Sequence, residues 1–251
     1  KRSNNKKLKL LITNKRIDWG FKQSILMIQS RLQQIMRRTG DKVLLITSTI
    51  PAEGKTMTSV NMALAFAQEG MKVALLDGDL RKPSVSELMK LPEGPGLTEY
   101  FRGESTPEEI QVVKDGVTFF RAGQKKGKVS GLIDEEKMNS LLEKLRKEYD
   151  VILMDAAPSY VFSDAMILSS YADKVLYVVR VDKADAKAIQ VGMNSFEENQ
   201  NPDTPKKLIQ NGSSWISNEK TSAVNYELGD TYSYRYEDSI PDYASDTLEK
   251  L

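Results

Sequence analysis

The 251-residue sequence contains neither cysteine nor histidine. Without thiols there is no disulfide and no thiolate nucleophile, and without imidazoles there is no histidine base and no ordinary zinc site. Any chemistry must therefore come from lysine, arginine, carboxylates, hydroxyls and a bound metal. Net charge is nearly absent as well, because 36 basic residues balance 35 acidic ones to +1. No overall field favours nucleic acid or a membrane surface.

Long apolar runs are a third absence. None approaches the roughly 18 residues needed to cross a bilayer, and the start KRSNNKKLKLLITNKR has too short an apolar core for a secretory signal. These features predict a cytoplasmic chain. Because the sequence begins with Lys1, a removed membrane anchor is an open alternative, and the basic start would then lie on its cytoplasmic side.

The charged residues are distributed unevenly along the chain. Residues 1–38 carry many lysines and arginines and the single acid Asp18, whereas residues 219–251 hold eight acids against three basic residues. The acidic end has few aliphatic residues and cannot bury enough surface to fold alone, so we expect a disordered tail. The chain is accordingly divided into a basic segment with an amphipathic helix (1–40), one large domain (41–215) and a tail (216–251).

Segments of strand and helix length alternate in the middle of the chain. Continuous apolar runs predict strands that are covered on both faces, at KVLLITS, KVALLDGD, GVTFFRAG, DVILMDAAP and DKVLYVVRV. Helices are predicted at KTMTSVNMALAFAQEG, which ends on Gly70, at DEEKMNSLLEKLRKEY and at SDAMILSSYA, with an amphipathic helix over about 19–36 before them. KKLIQ is a candidate for a last strand. The alternation predicts an α/β doubly wound fold with a mainly parallel sheet flanked by helices.

A missing glycine marks the first strand-to-helix junction. In the phosphate-loop pattern GxxxxGK[ST], the first glycine position holds Thr49, but Gly54, Lys55 and Thr56 are in place. In such loops glycine lets backbone N–H groups curl around phosphates, the lysine balances their charge and the hydroxyl ligates Mg²⁺. The alternative is that GKT only starts a helix.

Carboxylates follow two of the predicted strands. Asp77 and Asp79 end the second strand, and Asp155 ends a later one. The carboxyl edge of a parallel sheet is where ligands bind in this fold, and an aspartate there commonly holds Mg²⁺ beside a phosphate loop. Each aspartate alone could be a turn or a helix cap. Together with Lys55 and Thr56, they favour a metal-nucleotide site.

Three segments resemble a known family. STIPAEGKT, LLDGDLRKP and VILMDAAP are similar to the Walker A, Walker A′ and Walker B motifs of bacterial tyrosine kinases, which regulate capsular and exopolysaccharide export. The similarity covers roughly 43–181, and DGDLRKP is its most specific element. That family characteristically lacks the first loop glycine, which accounts for Thr49. Related cell-division positioning and chromosome-partition ATPases usually carry an extra lysine early in the loop, which STIPAE lacks.

The resemblance implies ATP and Mg²⁺ as cofactors and gives roles to individual residues. Lys55, Asp77 and Asp79 would be catalytic, with Asp77 accepting the phenol proton, and Thr56, Asp79 and Asp155 would hold the metal. Arg81 and Lys82 would steady phosphate or a neighbouring acidic tail. The nucleotide-binding residues would be Ala52, Glu53, Gly54, Lys55, Thr56, Met57, Arg81 and Asn211.

The tail fits the same family. Five of the ten tyrosines fall within 18 residues: Tyr226, Tyr232, Tyr234, Tyr236 and Tyr243. A C-terminal cluster that is autophosphorylated is a family hallmark; otherwise these tyrosines would pack on the domain or a neighbour. The implied partners are a transmembrane polysaccharide co-polymerase or adaptor, fused or separate, a second copy through tail docking, and a cognate tyrosine phosphatase, with no nucleic acid. The implied location is the inner face of the cell membrane.

Two segments depart from the family pattern. Its ExxRxxR motif, which joins subunits into a ring, would fall on Gln23, Leu26 and Gln29, none of which is charged. The apolar strand expected before Asn211 is shortened to KKLIQ. Two other functions stay open: a non-kinase ATPase switch, and a scaffold that binds nucleotide without turnover, which the altered ring motif favours.

Overall fold

The computed structural model of the protein describes residues 10–124, 131–180, 183–198 and 208–211. The predicted tail and its five tyrosines lie outside these ranges. Within them, no helix combines the length and the apolar character that a membrane span requires.

The described residues form seven strands and seven helices. The strands are β1 (Val43–Ser48), β2 (Val73–Asp77), β3 (Gln111–Lys114), β4 (Val117–Phe120), β5 (Val151–Asp155), β6 (Lys174–Val178) and β7 (Leu208–Asn211). The helices are α1 (Trp19–Thr39), α2 (Lys55–Gln68), α3 (Val85–Met89), α4 (Leu97–Arg102), α5 (Glu135–Glu148), α6 (Asp164–Ser169) and α7 (Ala186–Glu198).

All seven strands join one sheet in the order β3-β4-β2-β5-β1-β6-β7. Every pair is parallel except β3 with β4, so β3 is an antiparallel edge strand. The order brings the carboxyl ends of β1, β2 and β5 side by side, and Asp77 is the direct register partner of Asp155. The predicted doubly wound, mainly parallel fold is confirmed.

Helices cover both faces of the sheet and give the fold two hydrophobic clusters. Leu44 and Ile46 face the cluster formed with α1, α2 and α3. Val43 and Leu45 face the opposite cluster, formed with α4, α5, α6 and α7. Because both faces of β1 are buried, its sequence is continuously apolar, as expected for a central parallel strand.

Helix α1 belongs to the first cluster. Asp18 caps its start by accepting a hydrogen bond from the Phe21 N–H, and Gly40 ends it in the left-handed conformation. Its apolar stripe, which includes Ile25, Ile28 and Leu32, is buried against the domain. The amphipathic helix predicted over about 19–36 is therefore confirmed, three residues longer than its pattern.

A strap of residues 10–17 precedes α1 and is tied to α2. Leu11 and Ile12 are buried in the first cluster. The Asn61 side chain accepts a hydrogen bond from the Ile12 N–H and donates one to the Leu10 carbonyl, both at 2.9 Å. Asn61 thus supplies the bonds that a neighbouring strand would otherwise make.

The amino ends of the strands carry a separate polar network. Asp173 accepts hydrogen bonds from the N–H groups of Lys42 and Val43, both at 2.8 Å, and pairs with the Arg146 guanidinium. Lys174 is buried and paired with Asp41. This network, which we call the amino-end network, connects β1, β6 and α5. It lies at the end of the strands opposite to the carboxylates that follow β2 and β5.

The remaining sequence expectations have mixed outcomes. The five apolar strands and the three later helices are confirmed, and KKLIQ overlaps β7 at residues 208–210, with the strand continuing to Asn211. Helix α2 ends at Gln68 with Glu69 as its cap, so Gly70, at φ 77°, follows the cap and does not form part of the helix. Four elements were not predicted, namely β3, α3, α4 and α7.

Candidate nucleotide and metal site

The phosphate loop occupies residues 49–54, between the end of β1 and the start of α2. Its backbone is left-handed at two positions, Ala52 with φ 68° and Gly54 with φ 101°. Gly54 tolerates this conformation without a Cβ penalty, whereas Ala52 is strained by it. The turn delivers the chain into the N-terminus of α2, where unpaired N–H groups and the helix dipole favour anions.

Lys55 begins α2 and lies among carboxylates. Its ammonium is 2.8 Å from Asp79 Oδ2 and 3.7 Å from Asp155 Oδ2. Burial alone would lower the pKa of Lys55, but Asp155 and Asp79 outweigh it and raise the pKa above its usual value. Lys55 is therefore held as a cation, which is the form that neutralises phosphate.

Asp155 is fixed by two hydroxyl groups of α2. Thr56 donates a hydrogen bond of 2.7 Å to Oδ2, and Ser59 donates one of 2.9 Å to Oδ1. Sequence reasoning paired Thr56 with Asp155 but missed Ser59. The signal was available, because Ser59 lies four residues after Lys55 and so faces the same side of the helix.

Asp77 is fully buried and only half satisfied. Its Oδ2 accepts a 3.2 Å hydrogen bond from the Val85 N–H, while its Oδ1 has no hydrogen-bond partner among the described residues. Burial, reinforced by the neighbouring Asp155, raises the pKa of Asp77 well above its usual range. A buried, unpartnered carboxylate oxygen is costly unless a ligand or ion completes it.

The close approach of these carboxylates depends on Gly78. A Cβ at this position would lie 2.8 Å from Leu168 Cδ1 and 3.0 Å from the Asp155 carbonyl oxygen. The turn between Asp77 and Asp79 therefore has room only for glycine, and this glycine holds the end of β2 against the end of β5.

The residues fit a magnesium-nucleotide complex. Asp155 offers carboxylate oxygens beside the Thr56 hydroxyl, Asp79 offers them beside the Lys55 ammonium, and Asp77 offers the unpartnered oxygen. No group of three acidic side chains forms a complete metal site in the described part of the chain. Magnesium usually binds one or two protein carboxylates and completes its coordination shell with phosphate and water. An incomplete set of protein ligands is therefore what a magnesium-nucleotide site requires.

Side-chain and backbone contacts support the loop where the first glycine is missing. The Thr49 carbonyl accepts a hydrogen bond from the Tyr160 N–H, and its hydroxyl accepts one of 3.2 Å from the buried Tyr177 hydroxyl. Ser159 lies 2.9 Å from the same Tyr177 oxygen and donates its N–H to the Ser48 carbonyl. Hydrogen bonds thus connect the segment after β5 to the phosphate loop. No sequence pattern predicted this network.

Arg81 and Lys82 lie beside the carboxylates. The Arg81 guanidinium pairs with Asp164 and stands 4.6 Å from the centre of the Phe162 ring. The Lys82 N–H donates to Asp79 Oδ1 at 3.0 Å, and its side chain is exposed. Asp164 and the Phe162 ring therefore hold the Arg81 side chain at the rim of the site, whereas the Lys82 side chain extends into solvent.

The other predicted residues lie at varying distances from this centre. Ala52 is exposed on the loop, Glu53 is buried behind it and Met57 is half-buried in α2. Asn211 is the register partner of Val178, which places its backbone at the carboxyl edge of the sheet. Of the three ring-motif positions, Gln29 is buried and donates to Gln33 on the same helix.

The fold and the site together define a P-loop NTPase of the ParA type. A family model described as "ParA: NUBPL iron-transfer P-loop NTPase" matches residues 40–190. Within this class, the chain belongs to the family of bacterial tyrosine-protein kinases. It is 32% identical over 172 residues to the tyrosine-protein kinase CpsD of Streptococcus pneumoniae, covering 64% of this chain and 73% of that protein.

Two further comparisons agree. A putative tyrosine-protein kinase in the cps region of Klebsiella pneumoniae is 27% identical over 199 residues, which cover 78% of this chain and 27% of that protein. The chain therefore spans only about a quarter of that relative's length. The kinase domain of the Escherichia coli tyrosine kinase ETK superposes with a TM-score of 0.71 at 27% identity, covering 80% of this chain and 79% of that one.

Proposed function

We propose that the protein binds ATP with Mg²⁺ and transfers the γ-phosphoryl group to tyrosine, including the tyrosines of its own tail. The observation that carries the proposal is the buried Lys55 ammonium between Asp79 and Asp155 at the start of α2. A charged lysine, a hydroxyl and carboxylates at one sheet edge are the parts that phosphoryl transfer requires, since its catalysis is mostly positioning and charge neutralisation.

The chain's own residues have distinct tasks in this reaction. Lys55 and the N–H groups of the loop hold the outer phosphates, while Thr56, Asp79 and Asp155 hold the metal. When bound, Mg²⁺ would neutralise charge that develops on the phosphates. Asp77 accepts the phenol proton as the tyrosine oxygen bonds to the γ-phosphorus and the bond to the ADP oxygen breaks. Because tyrosine has a pKa near 10, proton transfer accompanies bond formation and does not precede it.

The acidic, tyrosine-rich sequence at 226–243 favours a kinase over an ATPase that only switches conformation. Each phosphate added there would bring about −1.5 to −2 charges at neutral pH, so several phosphates would repel neighbouring tails. We propose a cycle in which copies associate through tail docking, phosphorylate one another and separate, with a tyrosine phosphatase resetting the tail.

The biological setting is also part of the proposal. The Klebsiella relative is named for its place in the cps region. We infer that this protein regulates capsular or exopolysaccharide synthesis and export, at the inner face of the membrane and with a transmembrane co-polymerase or adaptor. The family description mentions iron transfer, but the sequence contains neither cysteine nor histidine, the usual ligands of iron clusters.

The test is phosphopeptide mass spectrometry of the purified chain incubated with ATP and Mg²⁺. Lys55→Met should abolish tail phosphotyrosine, and Lys72→Met, which removes an exposed lysine far from the loop, should leave it intact. A parallel reaction contains a peptide from the cytoplasmic end of the cognate adaptor. ATP hydrolysis with unmodified tyrosines in both reactions would support the switch ATPase instead, and nucleotide binding without turnover would support the scaffold. Full labelling of Lys55→Met would refute its role.

A further inference from the structure

The side chain of Glu53, inside the phosphate loop, is oriented away from solvent. Glu53 is 5% exposed, although it lies between the exposed residues Ala52 and Gly54. Its two carboxylate oxygens accept separate backbone hydrogen bonds, from the Ile50 N–H at 2.8 Å and from the Arg180 N–H at 3.2 Å. Both bonds connect segments that secondary structure leaves unpaired.

The first of these bonds closes the loop on itself. Ile50 stands at the beginning of the loop and Glu53 near its end, so the bond spans Pro51 and Ala52. Ala52 has φ 68°, a left-handed conformation that strains any residue other than glycine. A bond that bridges the strained residue helps to hold it in place when no ligand does so.

The second bond attaches the loop to a neighbouring strand. Arg180 lies two residues after the end of β6. Strand β6 pairs with β1 over residues 44–48, and the phosphate loop follows directly after β1. The loop is therefore fixed both to itself and to the exit of β6.

We propose that Glu53 is a positioning residue. Its carboxylate braces the phosphate loop against the exit of β6 and so holds the loop in the shape that receives a nucleoside triphosphate. It acts through the backbone and does not touch the reacting atoms. This role rests on the nucleotide binding proposed above. It predicts that removing the brace weakens nucleotide binding while the fold stays intact.

The first test replaces Glu53 with glutamine, which has nearly the same shape but can accept only one of the two bonds with its oxygen. The matched control is Glu69→Gln, an exposed glutamate at the other end of α2. The assay titrates each protein with a fluorescent ATP analogue and Mg²⁺, and measures the melting temperature without nucleotide. Because Glu53→Gln loses one hydrogen bond to a charged group, we expect about tenfold weaker binding, a difference of about 1.4 kcal/mol. Because Glu53 is buried, the nucleotide-free melting temperature should fall by a few degrees, but Glu53→Gln should still unfold in a single cooperative transition and be fully folded at the temperature of the titration.

The second test removes the brace from the other side. Arg180→Pro deletes the backbone donor, whereas Arg180→Ala keeps it and removes only the exposed side chain. We expect Arg180→Pro to bind the analogue several-fold more weakly than Arg180→Ala. Unchanged affinity in folded Glu53→Gln and Arg180→Pro, or the same loss in Glu69→Gln, would overturn the brace. Failure of the parent protein to bind the analogue would instead overturn the proposed function, so the two failures are distinguishable.

Discussion

Asn61 offers a sharp test of how the N-terminal strap is held to the phosphate-loop helix. Replacing Asn61 with alanine removes both hydrogen bonds to the strap. Ile12 is 2% exposed, so its N–H would be left buried without a partner, at a cost of about 1–3 kcal/mol. The bond to the Leu10 carbonyl is partly buried and contributes about 0.5–1.5 kcal/mol. We expect the free energy of unfolding to fall by about 1.5–4.5 kcal/mol.

Urea unfolding followed by circular dichroism measures this loss, provided that the slope with denaturant is unchanged. The control is a chain that begins at Asp18 and lacks the strap, in which Asn61→Ala should cost less than about 1 kcal/mol because its partners are already gone. The reasoning is refuted if Asn61→Ala unfolds within about 0.5 kcal/mol of the parent protein, or if the loss is equally large in the shortened chain.

Two further predictions concern opposite ends of the sheet. Burial alone would raise the pKa of Asp173, but hydrogen bonds from Arg146 and two backbone N–H groups outweigh it and lower the pKa. The stabilisation is therefore fully present above the unfolded-state pKa of about 4 and is lost as the pH falls through the lower folded-state value. Asp173→Asn should lower the free energy of unfolding by about 1–3 kcal/mol at pH 7, and the difference should shrink in urea titrations below pH ~4; a gap that is constant with pH would contradict this. At the other end, the new methyl group of Gly78→Ala should push the turn between Asp77 and Asp79 away from Leu168 and from the Asp155 carbonyl, at a cost of about 1–3 kcal/mol of stability. Tyrosine phosphorylation should fall by at least about tenfold in the same mass-spectrometric assay; full activity would show that the turn yields without moving the carboxylate.

The sequence predicted the parts of the fold that repeat a strong pattern. Continuous apolar runs identified the central strands, and their order at one sheet edge brought Asp77 and Asp155 together as expected. Strand β3 was missed because QVVK is four residues long, half-exposed and confined to an edge. Helices α3 and α4 have five and six residues, too few for a helical period to be distinguished from a turn.

Helix α7 was missed for a different reason. Gly192 interrupts its apolar pattern, and an isolated glycine lowers the expectation of a helix. In the structure a Cβ at Gly192 would lie 2.2 Å from the Tyr177 hydroxyl, so the glycine makes room for the tyrosine that supports Thr49. The pairing of Arg81 with Asp164 likewise depends on how α6 packs, which no local pattern records. Tertiary contacts, not local propensity, decide these positions.

The amino-end network has a consequence for how this protein can change. Its charged members, among them Asp41, Arg146, Asp173 and Lys174, share no residue with the phosphate loop or with the carboxylates at the other edge of the sheet. The salt bridges that join β1, β6 and α5 and the groups of the nucleotide site thus lie at opposite ends of the same strands. Substitutions in the amino-end network can therefore change the stability of the domain without removing a side chain of the nucleotide site.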